Sequence, residues 1–384
     1  MIVLRSRLIS ACLSLLLIGA AAAAAAELPR VKLVATGGTI SNRVGGRLTA
    51  AELVAMIPDV QRFARPEFEQ FSNVASSEIT LDQWLALSRR LNDLFATQPD
   101  LAGLVVTSGT DTLEELAYFL HLTVRHERPV VVVGSMRNPS TLGYEGGANL
   151  LEAFRVAASP DARGKGVLVV LNDEINSARE VTKTDALRLQ TFQSRTVGVL
   201  GVVDADRVVF YRSTVKRHTS RSEFDVSTIT ALPRVDVVMV YQDAPGDLIK
   251  AAVDFGAKGV VIASAGAGAT SGTQSDALSY AANKGAVVVT TTRAGSGRIS
   301  GGRSMGAPPA AAIGATAAAP VTVGAVGSAT GAGSQPAGPA QASRGRRAFV
   351  GGEDLQPIKA RILLMLALTK TSDPIEIQRM FLEY

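Results

Sequence analysis

The chain has 384 residues, of which 47% are hydrophobic and 19% charged, and its formal net charge is +5. This length suits two domains with cores of their own, and the composition excludes an intrinsically disordered chain. The only tight basic cluster, at Arg344, Arg346 and Arg347, has no accompanying aromatic stripe, which argues against nucleic acid as a partner.

The first 26 residues have the pattern of a cleaved secretory signal. Arg5 and Arg7 form a positive start, Leu8–Ile18 an apolar core and Ala20–Ala26 a run of small residues suited to cleavage. The apolar core is too short for a membrane anchor, so we predict a periplasmic mature protein that does not contact the membrane. Because Cys12 is the only cysteine, cleavage would leave no disulfide and no thiolate metal site.

Short β-branched runs alternate with helical patterns along the mature chain. Continuous apolar strands separated by helices indicate a parallel sheet covered on both faces, so we predict an α/β fold whose larger domain is flavodoxin-like. The expected strands are Val31–Ala35, Gly103–Thr107, Pro129–Gly134, Val167–Leu171, Val235–Tyr241, Gly259–Ala263 and Ala286–Thr291. The expected helices are Thr49–Ile57, Leu81–Phe95, Thr112–Arg125, Ala148–Ala158, Asp247–Phe255, Ser275–Lys284 and Leu355–Thr369.

Two segments interrupt this alternation and indicate the domain organisation. Residues 206–234 are polar and mixed, which predicts a passage between an N-terminal domain at 27–232 and a smaller α/β domain at 233–384. Residues 306–342 are almost entirely Ala, Gly, Pro, Ser and Val, without strand or helix period. Such a segment cannot bury enough apolar surface to offset its ordering entropy, so we predict a disordered surface insertion.

Two threonine-rich motifs follow expected strands, Ala-Thr-Gly-Gly-Thr-Ile at 35–40 and Thr-Ser-Gly-Thr-Asp-Thr at 107–112. A hydroxyl at the end of a buried strand, beside glycines that allow close approach, is a candidate nucleophile. Ligands bind at the carboxyl ends of parallel strands, where Thr36, Thr110 and Asp111 would meet Lys183. The positive field of that lysine could activate a threonine hydroxyl. These residues favour an amidohydrolase with a threonine nucleophile.

Each of these residues also has a purely structural interpretation. Thr36 and Thr39 can hydrogen-bond to local backbone in a strand-to-loop turn. Asp111, with Glu114 three residues on, can cap the following helix, and Lys183 can be a solvated loop lysine. The glycine loops lack a phosphate-binding spacing, and the three histidines form no metal set.

The sequence resembles the bacterial L-asparaginase family, in its exported type II branch, which includes the glutaminase-asparaginases. The resemblance runs from about Leu28 to Tyr384, apart from the predicted insertion. The segments that match, in order, are Ala35–Ile40, Thr107–Thr112 with Glu114–Leu120, Gly134–Arg137, Leu171–Asp173, Val181–Thr184 and Lys359–Leu364.

The resemblance implies hydrolysis of L-asparagine to L-aspartate and ammonia, with no cofactor and no metal. Thr36 would attack the side-chain amide, and water would hydrolyse the acyl-enzyme after ammonia leaves. Asp111 would also hold the substrate ammonium and Ser76 its α-carboxylate. A homotetramer is implied, in which a neighbouring subunit completes each site. The implied site residues are Thr36, Ser76, Ser77, Thr110, Asp111 and Lys183.

Three positions depart from the family pattern. The loop Ser41–Gly46 is short and lacks the tyrosine that assists the family's nucleophile, and Tyr144 is one candidate replacement. Ser77 stands where a longer Gln or Glu usually contacts the substrate amino group. The acid from the partner subunit usually lies where this chain has its insertion. From the last two we expect weakened affinity for the substrate ammonium.

Two alternatives remain open at this point. The first alternative is a glutaminase-asparaginase of broader specificity. Asparagine and glutamine differ by one methylene, which changes the discrimination between substrates in an apolar pocket by only about 1–3 kcal/mol. The second is a non-catalytic periplasmic module that binds or senses amino acids. Such a module would keep Ser76 and Asp111 but would not need Thr36, Thr110 and Lys183 together.

Overall fold

The computed structural model describes residues 27–301 and 349–384, which contain an eight-stranded sheet, a four-stranded sheet and the helices packed on them. The predicted signal segment and the predicted insertion at 306–342 lie outside the described residues. Within the described ranges, no helix is both long and apolar enough to cross a membrane.

Strands and helices follow each other along most of the described chain. The helices are α1 (Ala50–Ala55), α2 (Leu81–Thr97), α3 (Leu113–Thr123), α4 (Gly146–Ala158), α5 (Asp247–Asp254), α6 (Gln274–Asn283), α7 (Pro357–Leu368) and α8 (Pro374–Glu383). The strands are β1 (Arg30–Gly37), β2 (Asn42–Arg43), β3 (Gly46–Arg47), β4 (Arg65–Val74), β5 (Leu101–Thr107), β6 (Val130–Val133), β7 (Val167–Leu171), β8 (Glu174–Ser177), β9 (Thr182–Lys183), β10 (Phe192–Gln193), β11 (Gly201–Val203), β12 (Val208–Phe210), β13 (Val235–Met239), β14 (Gly259–Ser264), β15 (Val287–Thr292) and β16 (Val350–Gly351).

The large sheet has the strand order β12-β11-β8-β7-β6-β5-β1-β4. Strands β4, β1, β5, β6 and β7 are parallel to their neighbours in this series. Strands β8, β11 and β12 extend it as an antiparallel edge. The parallel part has the 2-1-3-4-5 order of flavodoxin-like sheets, in which the direction of strand addition across the sheet reverses between the first and third strands. The α/β prediction is therefore confirmed, and the antiparallel edge is an addition to it.

The core on one face of this sheet is organised around α3. The four valines of β6, Val130–Val133, are at most 1% exposed, as expected for a strand covered on both faces. Ten of the eleven residues of α3 are buried, because the helix lies between the sheet and α7. Burying a side chain such as Phe119 contributes about 1.5–3 kcal/mol. The chain that enters α3 therefore rests on a firmly packed helix.

The small sheet, β13-β14-β15-β16, is parallel throughout. Alternate residues of β14 face opposite sides, so Val260 and Ile262 pack in the cluster of α5 and α6, and Val261 packs in the cluster that contains α7. The large sheet ends at Phe210 and the small sheet begins at Val235. A domain boundary at 232–233 stays a prediction.

Every predicted strand and helix corresponds to an observed one, with ends displaced by at most two residues. Strand β4 was not predicted, because Arg65–Val74 lies at the sheet edge and alternates charged with apolar residues. Helix α8 was also missed, although Ile377, Met380 and Phe381 have helical spacing and are buried. Strand β12 lies inside the segment 206–234 that we expected to be only a passage between domains.

Candidate active site

The two threonine motifs lie side by side at the carboxyl ends of β1 and β5, which are adjacent in the large sheet. From this point β1 leads towards α1 and β4 on one side, whereas β5 leads into α3 and β6 on the other. Such a reversal opens a crevice between the two loops, where ligands of open α/β sheets bind. The strand order of the sheet therefore places the predicted site in this crevice.

Glycines bring three loops into contact at this crevice. Gly37 and Gly38 have φ of +107° and +89°, and a Cβ on Gly38 would overlap the backbone of Gly109. A Cβ on Gly109 would in turn meet the side chain of Ser76, in the loop after β4. Only residues without a side chain allow this approach. The hydroxyl of Thr112 donates to the Ser76 carbonyl at 3.2 Å and joins the same loops.

Lys183 lies against Thr110 and Asp111, as the sequence analysis expected. Its ammonium donates to Thr110 Oγ1 at 3.1 Å and to Asp111 Oδ1 at 2.8 Å. The lysine side chain is 15% exposed, so it is not a solvated loop lysine, whereas that of Asp111 is 76% exposed. The Asp111 carboxylate therefore binds a largely buried ammonium and is itself open to solvent.

Asp111 does not cap the following helix. The N-cap of α3 is Thr112, and its side chain makes no hydrogen bond to the first turn of the helix. The Asp111 carboxylate is instead engaged by Lys183. The structural interpretation of Asp111 as a capping residue is therefore wrong, and its carboxylate is available at the site.

Thr36 does not face the crevice. It is still part of β1 and fully buried, and its hydroxyl donates to the Thr107 carbonyl at 2.6 Å. Its backbone N–H donates to Thr107 Oγ1 at 3.0 Å. A nucleophile must reach the substrate, and this hydroxyl is committed within the sheet. The geometry therefore disagrees with the assignment of Thr36 as nucleophile, because the strand continues through that position.

Thr39 has the exposure that Thr36 lacks. It begins the single 3-10 turn Thr39–Ser41 after Gly38 and is half-buried. Among residues 27–301 and 349–384, its hydroxyl has no hydrogen-bond partner. Thr39 and Thr110 directly follow the two glycines that touch each other, Gly38 and Gly109. Thr39 comes after the glycine pair, where the strand pattern has ended. This position is the signal in the sequence that could have identified Thr39 as the threonine with an available hydroxyl.

The turn that begins with Thr39 is held from several sides. Ser41 Oγ donates to the Gly38 carbonyl at 3.0 Å, and Leu48 N donates to the Ser41 carbonyl at 2.7 Å. The hydroxyl of Tyr144 donates to the Ile40 carbonyl at 2.9 Å. Burial raises the Tyr144 pKa above its ordinary value, so the hydroxyl stays protonated and acts as a donor. Tyr144 therefore lies next to the site, bonded to the backbone of the turn.

The two predicted substrate-binding serines differ in environment. Ser76 is 6% exposed and lies against Gly109. Ser77 is exposed. The structure therefore brings Ser76 together with the motif loops, and it leaves Ser77 at the surface beside them.

Comparison with known proteins agrees with the class that this fold and site define, an amidohydrolase. Residues 30–216 match the family described as "Asparaginase, N-terminal", and residues 234–381 match the "Glutaminase/Asparaginase C-terminal domain". The chain belongs to the asparaginase family. The predicted family and enzyme class are thus confirmed, and the family implies a small-molecule amide as substrate.

Individual relatives share most of their length with this chain. It is 38% identical to L-asparaginase 2 of Bacillus subtilis, over 93% of this chain and 87% of that protein. It is 36% identical to the glutaminase-asparaginase of Pseudomonas fluorescens biotype A, over 97% of both. A crystal structure of a probable cytoplasmic L-asparaginase from Campylobacter jejuni superposes with a TM-score of 0.76, at 35% identity, over 93% of this chain and all of that one.

Proposed function

We propose that this chain hydrolyses the side-chain amide of L-asparagine and releases L-aspartate and ammonia. The observation that carries the proposal is the cluster of Lys183, Thr110 and Asp111. Thr39, whose hydroxyl has no hydrogen-bond partner among the described residues, directly follows Gly38, which packs against Gly109 just before Thr110. Together these groups supply a hydroxyl, a second hydroxyl with a cationic neighbour, and a carboxylate open to the crevice. A cluster of this kind is suited to acyl transfer.

In the proposed reaction, Thr39 Oγ1 attacks the amide carbon and its proton passes to the leaving nitrogen. The C–N bond breaks, ammonia departs, and an ester to Thr39 remains. Water then attacks the ester carbon, the C–O bond to Thr39 breaks, and the hydroxyl regains a proton. We propose that Thr110 relays the proton in the first step, giving its own to the leaving nitrogen as it takes that of Thr39, because the positive charge of Lys183 stabilises negative charge that develops on Thr110 Oγ1. Backbone N–H groups near Gly38 and Thr110 are the proposed oxyanion donors.

For the substrate, we propose that Ser76 binds the α-carboxylate and that Asp111 binds the α-ammonium. The carboxylate of Asp111 is suited to a cation because it is largely exposed at the crevice. We propose only a minor contact from Ser77, because its short side chain is exposed. We therefore keep the expectation that this chain binds the substrate ammonium less tightly than relatives with a longer side chain there.

Cellular location and assembly are also proposals. We propose export to the periplasm and a homotetramer. A relative in Haemophilus influenzae is named as probably periplasmic, whereas the solved relative from Campylobacter jejuni is named as probably cytoplasmic. Cell fractionation with N-terminal sequencing of the mature protein tests export, and light scattering of the purified protein tests the assembly.

The test of the activity is ammonia release from purified protein given asparagine, glutamine and a series of other ω-amides. We expect the highest kcat/KM with asparagine, and loss of turnover in Thr39→Ala and in Thr110→Val. Equal rates with glutamine would indicate a glutaminase-asparaginase. Tight binding of asparagine without any ammonia would contradict the proposal and show a binding module.

A further inference from the structure

A buried lysine from the small domain holds the backbone that leads to Lys183. Lys359, on α7, is 1% exposed. Its ammonium donates to the carbonyls of Ala178 at 2.9 Å and Arg179 at 3.1 Å, and also to that of Val181. The three donors of the ammonium thus meet three carbonyls of one short segment, which a lysine can satisfy fully.

The segment that Lys359 holds ends at the predicted site. Residues 178–181 connect β8 to β9, and β9 consists of Thr182 and Lys183. Val181 is therefore followed directly by the strand that contains Lys183, whose ammonium contacts Thr110 and Asp111.

A glutamate on α3 connects the two lysines by a second route. Glu114 Oε1 accepts hydrogen bonds from the Lys183 backbone N–H and from the Thr182 hydroxyl, both at 3.0 Å. Its other oxygen, Oε2, lies 3.8 Å from the Lys359 ammonium. Among the described residues, Glu114 Oε2 has no hydrogen-bond partner. The negative charge of Glu114, which binds the Lys183 backbone, is thus compensated by the positive charge of Lys359.

We propose that Lys359 is a positioning residue that holds Lys183 against Thr110 and Asp111. It acts through the 178–181 carbonyls and through Glu114, and it does not touch the crevice. The catalytic consequence rests on the proposed function, whereas the positioning itself does not.

Burying the Lys359 ammonium is energetically unfavourable by itself, which supports a positioning role for its contacts. Burial lowers the Lys359 pKa to about 8, because an ammonium away from water is destabilised. Removing the ammonium would leave three carbonyls without their donor and Glu114 without its counter-charge. Breaking one partner of a buried pair in this way costs more than the pair itself contributes. The segment is therefore expected to move when Lys359 is lost.

Lys359→Met tests the proposal, because methionine is close in length and cannot donate. The matched control is Arg361→Met, two residues further along α7. Arg361 lies 3.8 Å from Glu115 and donates to the Val235 carbonyl at 3.0 Å. Arg361 thus pairs with Glu115, which follows Glu114 on α3, at the 3.8 Å that separates Lys359 from Glu114. It makes no hydrogen bond to the carbonyls of residues 178–181 that Lys359 binds. We expect Lys359→Met to lower kcat for asparagine at least about tenfold with KM changed less than about threefold, and Arg361→Met to keep kcat within about twofold.

A crystal structure of the Lys359→Met protein separates this proposal from the proposed function. We expect the distance from Lys183 Nζ to Asp111 Oδ1 to exceed 4 Å, and this result stands even if the wild type releases no ammonia. Lys183 in its original place, or kcat within twofold of the wild type in an active enzyme, would overturn the proposal. If Lys359→Met does not fold, Lys359→Gln, which is uncharged and one atom shorter and so cannot balance Glu114 or reach all three carbonyls, replaces it under the same two criteria.

Discussion

The hydroxyl of Tyr144 donates to the carbonyl of Ile40 across 2.9 Å, although 104 residues separate the two in the chain. This bond fixes the turn that begins with Thr39 to the loop after β6. Because the hydroxyl is engaged and its pKa is raised by burial, we infer that Tyr144 supports the turn and does not accept the proton of the nucleophile.

Tyr144→Phe should therefore have a moderate effect. We expect the free energy of unfolding to fall by about 1 kcal/mol, the usual value of one hydrogen bond, and kcat to fall by no more than about tenfold. Urea unfolding and ammonia release measure the two effects. A loss of kcat of a hundredfold or more, with folding intact, would instead assign Tyr144 a direct part in proton transfer.

The two threonines of the first motif should respond differently to mutation. Thr39→Ala should lower kcat by about a thousandfold or more with little change in stability, because it removes the proposed nucleophile. Thr36→Val should lower the free energy of unfolding by about 1–3 kcal/mol, because the bond to the Thr107 carbonyl is lost, while kcat stays within about tenfold. The reverse pattern would restore Thr36 as nucleophile.

Lys183→Met should lower kcat by about a hundredfold or more, because it removes the charge beside Thr110 and Asp111. Lys32→Met is the matched control. Lys32 has a similar side-chain exposure, 12% against 15%, and forms an ion pair with Glu67 at 3.2 Å outside the site. Its loss should leave kcat unchanged. Comparable losses in both variants would show that the effect is a general one of removing a lysine.

Gly38 should tolerate no side chain. Its φ is +89°, and a Cβ would overlap the Gly109 backbone, whereas Gly45 has φ +84° with no atom near its Cβ position. Gly45→Ala therefore measures the strain of the backbone conformation alone. Gly38→Ala should cost about 1–3 kcal/mol more in the free energy of unfolding and should reduce kcat. Equal costs in the two variants would contradict the close approach of the loops.

Two buried histidines should make the fold sensitive to acid. The rings of His121 and His218 are 5.1 Å apart. Burial lowers both pKa values, that of His218 to about 4, below the ordinary 6.5. Between these values the unfolded chain binds protons that the folded chain does not. The free energy of unfolding should therefore fall as the pH drops from 6.5 to about 4, by up to about 1.4 kcal/mol per pH unit for each histidine.

His218→Gln should flatten this pH dependence, since one of the two titrating groups is removed. Urea unfolding at several pH values between 4 and 7 measures the slopes. Parallel slopes for the wild type and the variant would contradict the assignment.

Local patterns accounted for most of the fold. Buried β-branched runs such as Val130–Val133 and helical spacings such as that of α7 are determined by neighbours in sequence. The edge strand β4 was missed because a strand with one open side needs no continuous apolar run. For the site, the carboxyl ends of β1 and β5 could be predicted, because parallel strands end at the same edge.

The sequence by itself thus determined the α/β architecture, the family and the edge of the sheet at which the chemistry is proposed. Only the tertiary structure decided that the Thr36 hydroxyl bonds inside the sheet, whereas that of Thr39 has no partner among the described residues, and that Glu114 accepts from the Lys183 backbone beside Lys359. The physical reason is the range of the interactions. Strand and helix periods are local, whereas the direction of a hydroxyl or an ammonium depends on groups that folding brings from distant parts of the chain.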